Sequence, residues 1–455
     1  PFTAYLVAEK LRERGLDKEA PLHIMQLRES RTFGPFEVEM VTLTHSIPEP
    51  NGLAIRTPLG LILHTGDWKI DPDPIIGEDF DQAKIEELGR EGILAMVCDS
   101  TNVFEEGEAG SEGMAREALR RAIAEQTGRV AITSFASNVA RVQSACEAAR
   151  ANDRSVCLVG RSMLRIVGAA QSVGLLKGFE FIDPEDAADL PHQHVLYLCT
   201  GSQGEPNAAL ARIARGDHPS VKLGEDDTVI FSSRVIPGNE GAIGEIQNTL
   251  PERNIKLVTA RQFDIHVSGH PCRDELRRMY MWAKPQIAVP VHGERRHIME
   301  HARFAKSLQV PYAITPDNGH VIRLAPGPVE LIDEVPVGRL HVDGQVLTSD
   351  KAGGMWERRK MAYNGHLTVS VVIAKGKIED GPVIVARGFS EEDGRPADES
   401  MEPIDDAAES ALANIKRGDL GDDEKIEKAL VKAVRRAAEV QFGKRPLVDI
   451  TIHRV

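Results

Sequence analysis

The chain has 455 residues, 42% of them hydrophobic and 27% charged, which is a composition typical of folded globular domains. This length predicts two or three domains. No apolar run reaches the length of a membrane-spanning helix and no signal-peptide pattern opens the chain, so we expect a cytoplasmic protein without a membrane partner. The net charge of −14 argues against adhesion to nucleic acid over the whole surface, but it permits a local basic channel.

The first predicted elements are an amphipathic helix from Phe2 to Arg14 and a strand from Phe36 to Thr44. A hairpin is predicted over Leu53–Asp67 and a further apolar strand over Ile93–Asp99. Because the chain starts inside a predicted helix and without Met, we expect it to be N-terminally incomplete.

Strands then alternate with helices, a rhythm that indicates a mostly parallel sheet covered by helices. The predicted strands are Val130–Phe135, Ser155–Val159, His194–Thr200, Thr228–Ser233 and Ile255–Thr259. The clearest predicted helices are Ser111–Gln126, Ser137–Ala151, Arg273–Trp282 and Glu294–Ser307. The five cysteines show no CxxC spacing, so we expect buried free thiols in a reducing compartment.

A connector is predicted near Ala325, and a smaller α+β unit follows it. Its predicted strands are Leu367–Ala374, Val383–Gly388 and Leu447–His453, and its predicted helices are Asp405–Lys416 and Asp423–Phe442. We expect the acidic run Ser390–Asp406 to be a solvated loop.

Metal-competent side chains stand where apolar strands run out into glycine-containing loops. His45 and Asp67 form one such pair, and His270 and His292 form another. Each pair is too widely spaced to share a local turn, so the members should belong to neighbouring strand ends. A hydrolytic metal site requires His and carboxylate ligands gathered by a rigid sheet in this way. The alternative is that a strand-end His or a Gly-Asp loop is purely structural.

Short motifs in a fixed order carry a resemblance to a known family. They are HSIP (45–48), HTGDWK (64–69), DSTN (99–102), SFASNVARV (134–142), TGSQGEP (200–206), IPGNE (236–240), HVSGH (266–270) and PVHGE (290–294). In these stretches the chain resembles the ribonuclease J family, bacterial members of the metallo-β-lactamase superfamily that carry an inserted β-CASP domain.

The resemblance implies an α/β fold: a metallo-β-lactamase αββα sandwich with an inserted β-CASP α/β domain and a C-terminal α+β domain. The implied domain bounds are 1–108 for the first, N-terminally incomplete part of the metallo-β-lactamase domain, 109–265 for the β-CASP domain, 266–325 for the second metallo-β-lactamase part, 326–345 for a linker and 346–455 for the C-terminal domain.

Roles follow from the resemblance residue by residue. His45 would bind one divalent metal ion, His292 a second, and Asp67 would bridge the two ions, which are expected to be Zn²⁺ with Mn²⁺ or Mg²⁺ as alternatives. His270 would contact the scissile phosphate as a proton or hydrogen-bond donor. Asp99 would be a hydrogen-bond anchor nearby, although an Asx-turn is an alternative role for it.

A pocket for RNA or a 5′-phosphate is expected where a helix begins after a strand. Its expected members are Ser137, Asn138, Ser268, Gly269 and His266, with a second backbone-rich loop at Gly201 and Ser202. The alternative is that Ser137 only caps its helix. Arg141 and Arg234 could assist, but surface ion pairs are the commoner role of such arginines.

Two features depart from a complete site. The superfamily's HxHxDH motif is absent from this sequence, so only half of a two-metal ligand set is present. The string His297–His301 spells HxxEH, a zinc-protease pattern, but we expect it to be structural because no third ligand suggests itself.

The expected function is therefore a 5′→3′ exoribonuclease that prefers 5′-monophosphate ends and also cuts internally, in RNA decay and ribosomal RNA maturation. A metal-activated hydroxide would attack the phosphodiester, and activity would require the HxHxDH region. Expected partners are RNA, further copies in a homodimer or homotetramer, and RNA-degradosome proteins. The alternatives are a DNA-processing β-CASP nuclease, a small-molecule metallohydrolase, which the β-CASP-like insert disfavours, and an inactive RNA-binding scaffold.

Overall fold

The computed structural model describes residues 1–349, 352–389 and 398–455. They form two compact units, Pro1–Val335 and Pro336–Val455. No helix within these ranges is both long and apolar enough to cross a membrane. All five cysteines are buried free thiols, as predicted.

The strands and helices of both units are numbered in chain order. The strands are β1 (Ser30–Phe33), β2 (Phe36–Thr42), β3 (Asn51–Thr57), β4 (Gly60–His64), β5 (Ile93–Asp99), β6 (Val130–Thr133), β7 (Ser155–Val159), β8 (Val195–Cys199), β9 (Thr228–Phe231), β10 (Lys256–Val258), β11 (Ile287–Val291), β12 (Tyr312–Ala313), β13 (His320–Arg323), β14 (Glu330–Glu334), β15 (Leu340–Asp343), β16 (Val346–Ser349), β17 (His366–Ala374), β18 (Lys377–Arg387) and β19 (Leu447–Arg454). The helices are α1 (Phe2–Glu13), α2 (Gln82–Glu91), α3 (Glu112–Ala124), α4 (Val139–Ala151), α5 (Arg161–Ser172), α6 (Pro184–Asp189), α7 (Ala209–Arg215), α8 (Glu240–Glu252), α9 (Arg273–Ala283), α10 (Arg295–Ser307), α11 (Gly353–Asn364), α12 (Asp398–Ala413) and α13 (Asp423–Phe442).

A seven-stranded mixed sheet with the order β1-β2-β3-β4-β5-β11-β12 organises one half of the first unit. Alternate residues such as Leu61 and Leu63 on β4 point to one face, as the two-residue period of a strand requires. On that face they join Leu88 of α2, Leu276 of α9 and Phe304 of α10 in one buried core. Helices thus cover this face of the sheet, and the functional loops follow the ends of the strands.

A five-stranded, fully parallel sheet with the order β10-β9-β6-β8-β7 is inserted after β5. Its strands are covered on both faces: Ile132 points into a core with helices α3 to α5, and its neighbour Ala131 points into a core with α7 and α8. Because all the strands run in one direction, the loops that follow β6, β8 and β9 share one edge of the sheet.

The second unit is an α+β structure built on β17, which pairs antiparallel with β18 and parallel with β19. Leu367, Val369, Val371 and Ile373 alternate along β17 and are all buried. They pack on α13, whose buried residues recur at every fourth position: Ile426, Leu430, Val434 and Ala438. The predicted fold class is confirmed: a helix-covered mixed sheet, an inserted parallel α/β unit and a C-terminal α+β unit.

Two predictions for the C-terminal part of the chain need correction. The run 390–406 was expected to be a loop, but α12 begins at Asp398, while residues 390–397 lie outside the described part of the chain. Met401 and Ile404 are buried in the core, and this apolar anchoring outweighs the acidic composition. The expected linker 326–345 also contains the strands β14 and β15.

A buried ion pair joins the elements next to the inserted sheet. Glu112 on α3 and Arg141 on α4 are each about 1% exposed, and their Oε2 and Nη2 atoms are 2.9 Å apart. Arg141 Nη1 also donates to Ser232 Oγ (2.6 Å) and to the Ile265 carbonyl (2.7 Å), so it holds the chain that leads into the 266–270 loop. Burial alone would raise the pKa of Glu112, but the charges of Arg141 and Lys69 outweigh it and hold that pKa below its ordinary value.

Replacing Glu112 with Gln should destabilise the first unit by roughly 3–5 kcal/mol, because it leaves the Arg141 charge buried without its partner. The lowered pKa of Glu112 means that the pair contributes fully above pH 4.5, the unfolded value, and that its contribution is lost as the pH falls below it. Urea unfolding followed by circular dichroism measures the loss. Glu117→Gln, an exposed change on the same helix, is the control, and equal midpoints for the two variants would refute the prediction.

Candidate metal centre

Parallel strand pairing brings three functional loops to one edge of the mixed sheet. β4 pairs with β5 so that His64 lies opposite Val97, and β5 pairs with β11 so that Asp99 lies opposite Val291. The chain therefore leaves these three neighbouring strands side by side. Asp67 follows β4, Asp99 ends β5, and His292 follows β11.

A short antiparallel bridge between Thr44 and Lys69 adds the His45 loop to this edge. The Lys69 N–H donates to the Thr44 carbonyl at 2.8 Å, and the Thr44 hydroxyl donates to the Lys69 carbonyl at 2.8 Å. The same hydroxyl accepts from the Asp71 N–H at 3.0 Å. These bonds fix His45 and Asp67 beside each other although they are distant in sequence.

The five side chains that were expected to form the catalytic centre lie together. Ligand atoms of His45, Asp67 and His270 all fall within 4.8 Å of one another, and so do those of Asp99, His270 and His292. Asp67 Oδ2 is 3.5 Å from His292 Nε2, so this carboxylate lies near both expected ligand histidines. The His270 ring lies between the other two, with centroids 5.1 Å from His45 and 5.3 Å from His292.

The hydrogen bond of His45 suits a metal ligand. Its Nδ1 lies against the Gly269 carbonyl, which can only accept, so Nδ1 carries the proton and Nε2 keeps a lone pair. Burial lowers the pKa of His45, which keeps the ring neutral as metal binding requires. A carbonyl that fixes the free nitrogen of a ligand histidine is the usual support in metal sites. The nitrogen and carboxylate donors of His45, Asp67 and His292 therefore fit a divalent cation such as Zn²⁺.

Asp99 holds His270 and also makes the Asx-turn that was considered as its alternative role. Oδ2 of this fully buried carboxylate accepts from His270 Nδ1 at 2.6 Å, and Oδ1 accepts from the Thr101 N–H and hydroxyl at 2.8 and 2.7 Å. Burial raises the pKa of Asp99, but the His270 and Thr101 contacts outweigh burial and lower it. Burial likewise lowers the pKa of His270, and the Asp99 contact outweighs it and raises that pKa.

His292 occupies a conformation that L-residues rarely adopt, with φ of 56°. Its carbonyl lies 3.1 Å from Thr101 Oγ1, which places the loop after β11 against the loop after β5. Strained residues of this kind cluster at functional sites because the surrounding structure must hold them in place.

The 266–270 loop is packed closely against His45. A Cβ added at Gly269 would lie 2.5 Å from His45 Cε1 and 2.8 Å from Ser46 Oγ, so the His45 ring would have to move before a side chain could fit there. Ser268 Oγ accepts from Asn102 Nδ2 at 2.8 Å and from the His270 N–H at 3.2 Å, which leaves its own proton to donate.

His266 lies in a region of positive charge. Burial, followed by the charges of Arg141, Arg234 and Lys69, lowers the pKa of His266 to about 3. Its Nδ1 is buried and has no hydrogen-bond partner in the described part of the chain. Each of the three cations is itself paired with a carboxylate: Lys69 with Asp71, Arg141 with Glu112 and Arg234 with Glu105.

The other expected phosphate contacts have different surroundings. Asn138 is the N-cap of α4: its side chain accepts from the Arg141 N–H at 2.9 Å and donates to Glu112 Oε1 at 3.1 Å. Ser137 is therefore not the cap, which corrects the alternative considered for it. Gly201 and Ser202 follow β8 at the same sheet edge, but Ser202 is buried and Gly201 packs against Ala208 and Leu210.

The two arginines also differ from each other. Arg141 was considered as a surface ion pair but is buried, whereas Arg234 is exposed and pairs with Glu105 at 2.9 Å.

The HxxEH string holds structural histidines. His301 is fully buried, and its two ring nitrogens contact Ser100 Oγ at 2.8 Å and Tyr280 Oη at 2.9 Å. The His297 Nδ1 accepts from the Glu294 N–H at the start of α10. Burial lowers the pKa of His301 to about 4.

Two supporting residues were not singled out from the sequence. Glu275 accepts from the N–H groups of Ile70, Ala109 and Cys272, each at 2.8 Å, and so ties the Asp67 loop to the 266–272 segment. Asn102 Nδ2 donates to the His270 carbonyl at 2.9 Å as well as to Ser268. The position of Glu275 three residues after a helix N-cap was the available signal for its role.

Gly269→Ala should weaken Zn²⁺ binding by roughly 10- to 100-fold, because the new methyl group displaces the His45 ring and its supporting carbonyl. Isothermal titration with Zn²⁺ measures this directly. Gly241→Ala, where an added Cβ meets no atom within 4 Å, is the matched control. Equal affinities for the two variants would show that His45 is not a ligand.

Stability of the first unit should fall as the pH drops from about 6.5 to about 4, because the unfolded chain binds a proton at His301 that the folded chain refuses. Above pH 6.5 this histidine contributes no pH dependence. Thermal unfolding between pH 7 and 5 should show a smaller pH dependence in His301→Gln than in the unaltered chain. An unchanged slope would mean that His301 titrates normally in the folded state.

Comparison with protein families matches three parts of the chain. Residues 127–250 match the family described as Ribonuclease J, beta-CASP domain, and residues 257–311 match the Zn-dependent metallo-hydrolase RNA specificity domain. Residues 354–455 match the Ribonuclease J C-terminal domain.

Several curated proteins are similar over nearly the whole chain. A protein named Ribonuclease J from Sinorhizobium meliloti is 43% identical over 458 residues, which cover 100% of this chain and 81% of that protein. Proteins with the same name from Mycolicibacterium smegmatis and Corynebacterium glutamicum are 35% and 34% identical. Each alignment covers 99% of this chain, together with 80% and 63% of the respective relative.

Proposed function

Because the chain belongs to the ribonuclease J family of β-CASP metallo-hydrolases, a family of nucleases, we propose that it acts on RNA as a 5′→3′ exoribonuclease that prefers 5′-monophosphate ends and also cuts internally. The observation that carries this proposal is the position of Asp67. Its carboxylate lies near both His45 and His292, close to His270, which is hydrogen-bonded to Asp99.

We propose that His45 and His292 each hold one divalent ion, Zn²⁺ being the best fit to the donors, and that Asp67 is shared between the two. When bound, such ions supply an activated hydroxide and stabilise charge on the phosphate. Two ions need more ligands than these three residues. An HxHxDH segment, which this sequence does not contain, would supply them, so activity is expected only where such a segment is present.

The proposed role of His270 follows from its tautomer. Asp99 occupies the Nδ1 side of the ring, so Nε2 is the nitrogen left to act on a scissile phosphate held beside Asp67 and His45, whose ligand atoms lie within 4.8 Å of a His270 ring nitrogen. A proton on that nitrogen can be donated to a phosphate oxygen or to the leaving oxygen. Asp99 acts through His270: it aligns the ring and stabilises its charged form.

For the 5′-phosphate we propose a pocket formed by Ser137, Ser268, Gly269 and His266. Ser268 has a free hydroxyl proton, and His266 offers an unpartnered nitrogen near the Arg141 and Arg234 charges. We assign a structural role in shaping the pocket, and no direct phosphate contact, to Asn138, Gly201 and Ser202. The Asn138 side chain is already hydrogen-bonded to Arg141 and Glu112, and Ser202 is buried.

A second candidate is an RNA-binding scaffold without catalysis. The strained conformation of His292 and the supported tautomer of His45 argue for a working site, since neither is needed for a scaffold. A DNA-processing nuclease would use the same centre, and comparing RNA with DNA of equal sequence distinguishes the two. We further propose RNA decay and ribosomal RNA maturation in the cytoplasm, a homodimer or homotetramer, and degradosome proteins as partners.

Asp67→Ala should abolish RNA cleavage in a chain that carries an HxHxDH segment before Pro1, because the carboxylate near both histidines is lost. The measurement is degradation of 5′-monophosphorylated RNA in Zn²⁺ or Mn²⁺. Asp73→Ala, an exposed change on a nearby loop, is the control. Undiminished cleavage by the Asp67 variant would refute the assignment of Asp67 as a metal ligand. If the protein without substitutions bound RNA but did not cleave it, the scaffold function would be favoured.

Replacing Ser137 and Ser268 together with Ala should erase the preference for monophosphate over triphosphate ends, since two hydroxyl donors are removed from the pocket. Relative rates on the two RNAs measure the preference. Ser172→Ala, an exposed position on α5, serves as the control. If the preference survives the double change, the 5′-phosphate is bound elsewhere.

A further inference from the structure

The second unit carries a basic groove far in sequence from the candidate metal centre. The groove measures about 950 Å³ and is bordered by α11, α13 and the segment before β19. Six of its lining side chains are basic and two are acidic: Lys360, Lys428, Lys432, Arg435, Arg436 and Arg445, against Glu427 and Glu439. The whole chain has a net charge of −14, whereas the charge of this groove is positive.

Much of this positive charge is not used by the fold. Glu439 is neutralised by Arg445 at 2.6 Å, and Arg435 donates to the Pro446 carbonyl at 3.3 Å. Lys432 and Arg436 are exposed and make no ion pair or hydrogen bond with the residues that the structure describes. They lie on the face of α13 away from the buried Ile426 and Leu430, so packing does not require them.

Two exposed aromatic rings lie on α11, the helix that contributes Lys360 to the groove. Trp356 and Tyr363 on α11 are 51% and 79% exposed. The spacing of Trp356, Lys360 and Tyr363 places all three on one helix face, and the Lys360 ammonium lies 4.8 Å from the Trp356 ring centroid. A single exposed ring needs no explanation, but two rings on one helix face beside a basic groove form a combined aromatic and cationic surface.

We propose that this groove and the two aromatic rings form an accessory binding site for single-stranded RNA. Phosphates would lie along Lys432 and Arg436, and bases would stack on Tyr363 and Trp356. Basic grooves that follow the backbone, flanked by rings on which bases stack, are the usual arrangement for single strands. An acidic protein segment would satisfy the cations but would leave the rings unused. The choice of RNA over DNA rests on the proposed function.

The test is binding of a fluorescein-labelled oligouridylate to the whole chain in EDTA, where metal-dependent cleavage cannot occur. Lys432→Gln with Arg436→Gln should weaken binding and lower the salt dependence of log K by about 1.4, or about 0.7 for each lost phosphate contact. Lys377→Gln with Lys416→Gln removes the same charge from exposed positions outside the groove and should leave both quantities unchanged. Equal effects of the two double variants, or no effect of the first, would overturn the site.

The aromatic contribution is tested separately at Tyr363. Tyr363→Ala should weaken oligouridylate binding at least roughly fivefold, whereas Tyr363→Phe keeps the stacking surface and should bind like the unaltered chain. Equal affinity of the Ala and Phe variants would refute stacking. An equal loss with oligodeoxyuridylate would overturn the restriction to RNA. Cleavage plays no part in these readouts, so a failure of the proposed nuclease activity is seen separately, in Zn²⁺ with 5′-monophosphorylated RNA.

Discussion

Parallel pairing of β4, β5 and β11 is the constraint on which the candidate centre depends. Parallel strands release their chains at one edge, so residues hundreds of positions apart emerge within a few ångströms of each other. Strand pairing alone therefore brings together Asp67, Asp99 and His292, and direct contacts between these side chains are not required for it. Helices α2, α9 and α10 pack on one face of this sheet and stabilise the pairing. The edge where the strands end is not covered by them and carries the polar loops.

Buried polar contacts then convert proximity into defined geometry. Thr44 bridges two loops, Glu275 accepts three backbone N–H groups, and Asn102 connects Ser268 with His270. Each of these groups would be costly to leave unpaired once it is removed from water, so each loop has one preferred position. The positions of His45 and His270 therefore depend on Thr44, Glu275 and Asn102, which are not among the proposed metal or phosphate ligands.

Much of this could be predicted from the sequence because it is periodic or lies at a strand end. A continuous apolar run predicted β5, the alternation of strands with helices predicted the parallel insert, and the motif spacing placed His45 and His292 on separate strand ends. The geometry that depends on distant partners could not be predicted: nothing local indicates that Gly269 accepts from His45 or that Arg141 is buried against Glu112. Composition also misled where packing prevailed, as at the acidic start of α12, where Met401 and Ile404 reach the core.

The close approach of Gly269 to His45 also limits how this protein can evolve. A side chain at position 269 would overlap the imidazole, so it becomes tolerable only after position 45 has lost its ring. Once the imidazole at position 45 is lost, glycine is no longer required at position 269. The two positions should therefore vary together among descendants, with glycine retained wherever the histidine is retained. A lineage that drifts away from catalysis should lose both, and the order of loss should begin at position 45.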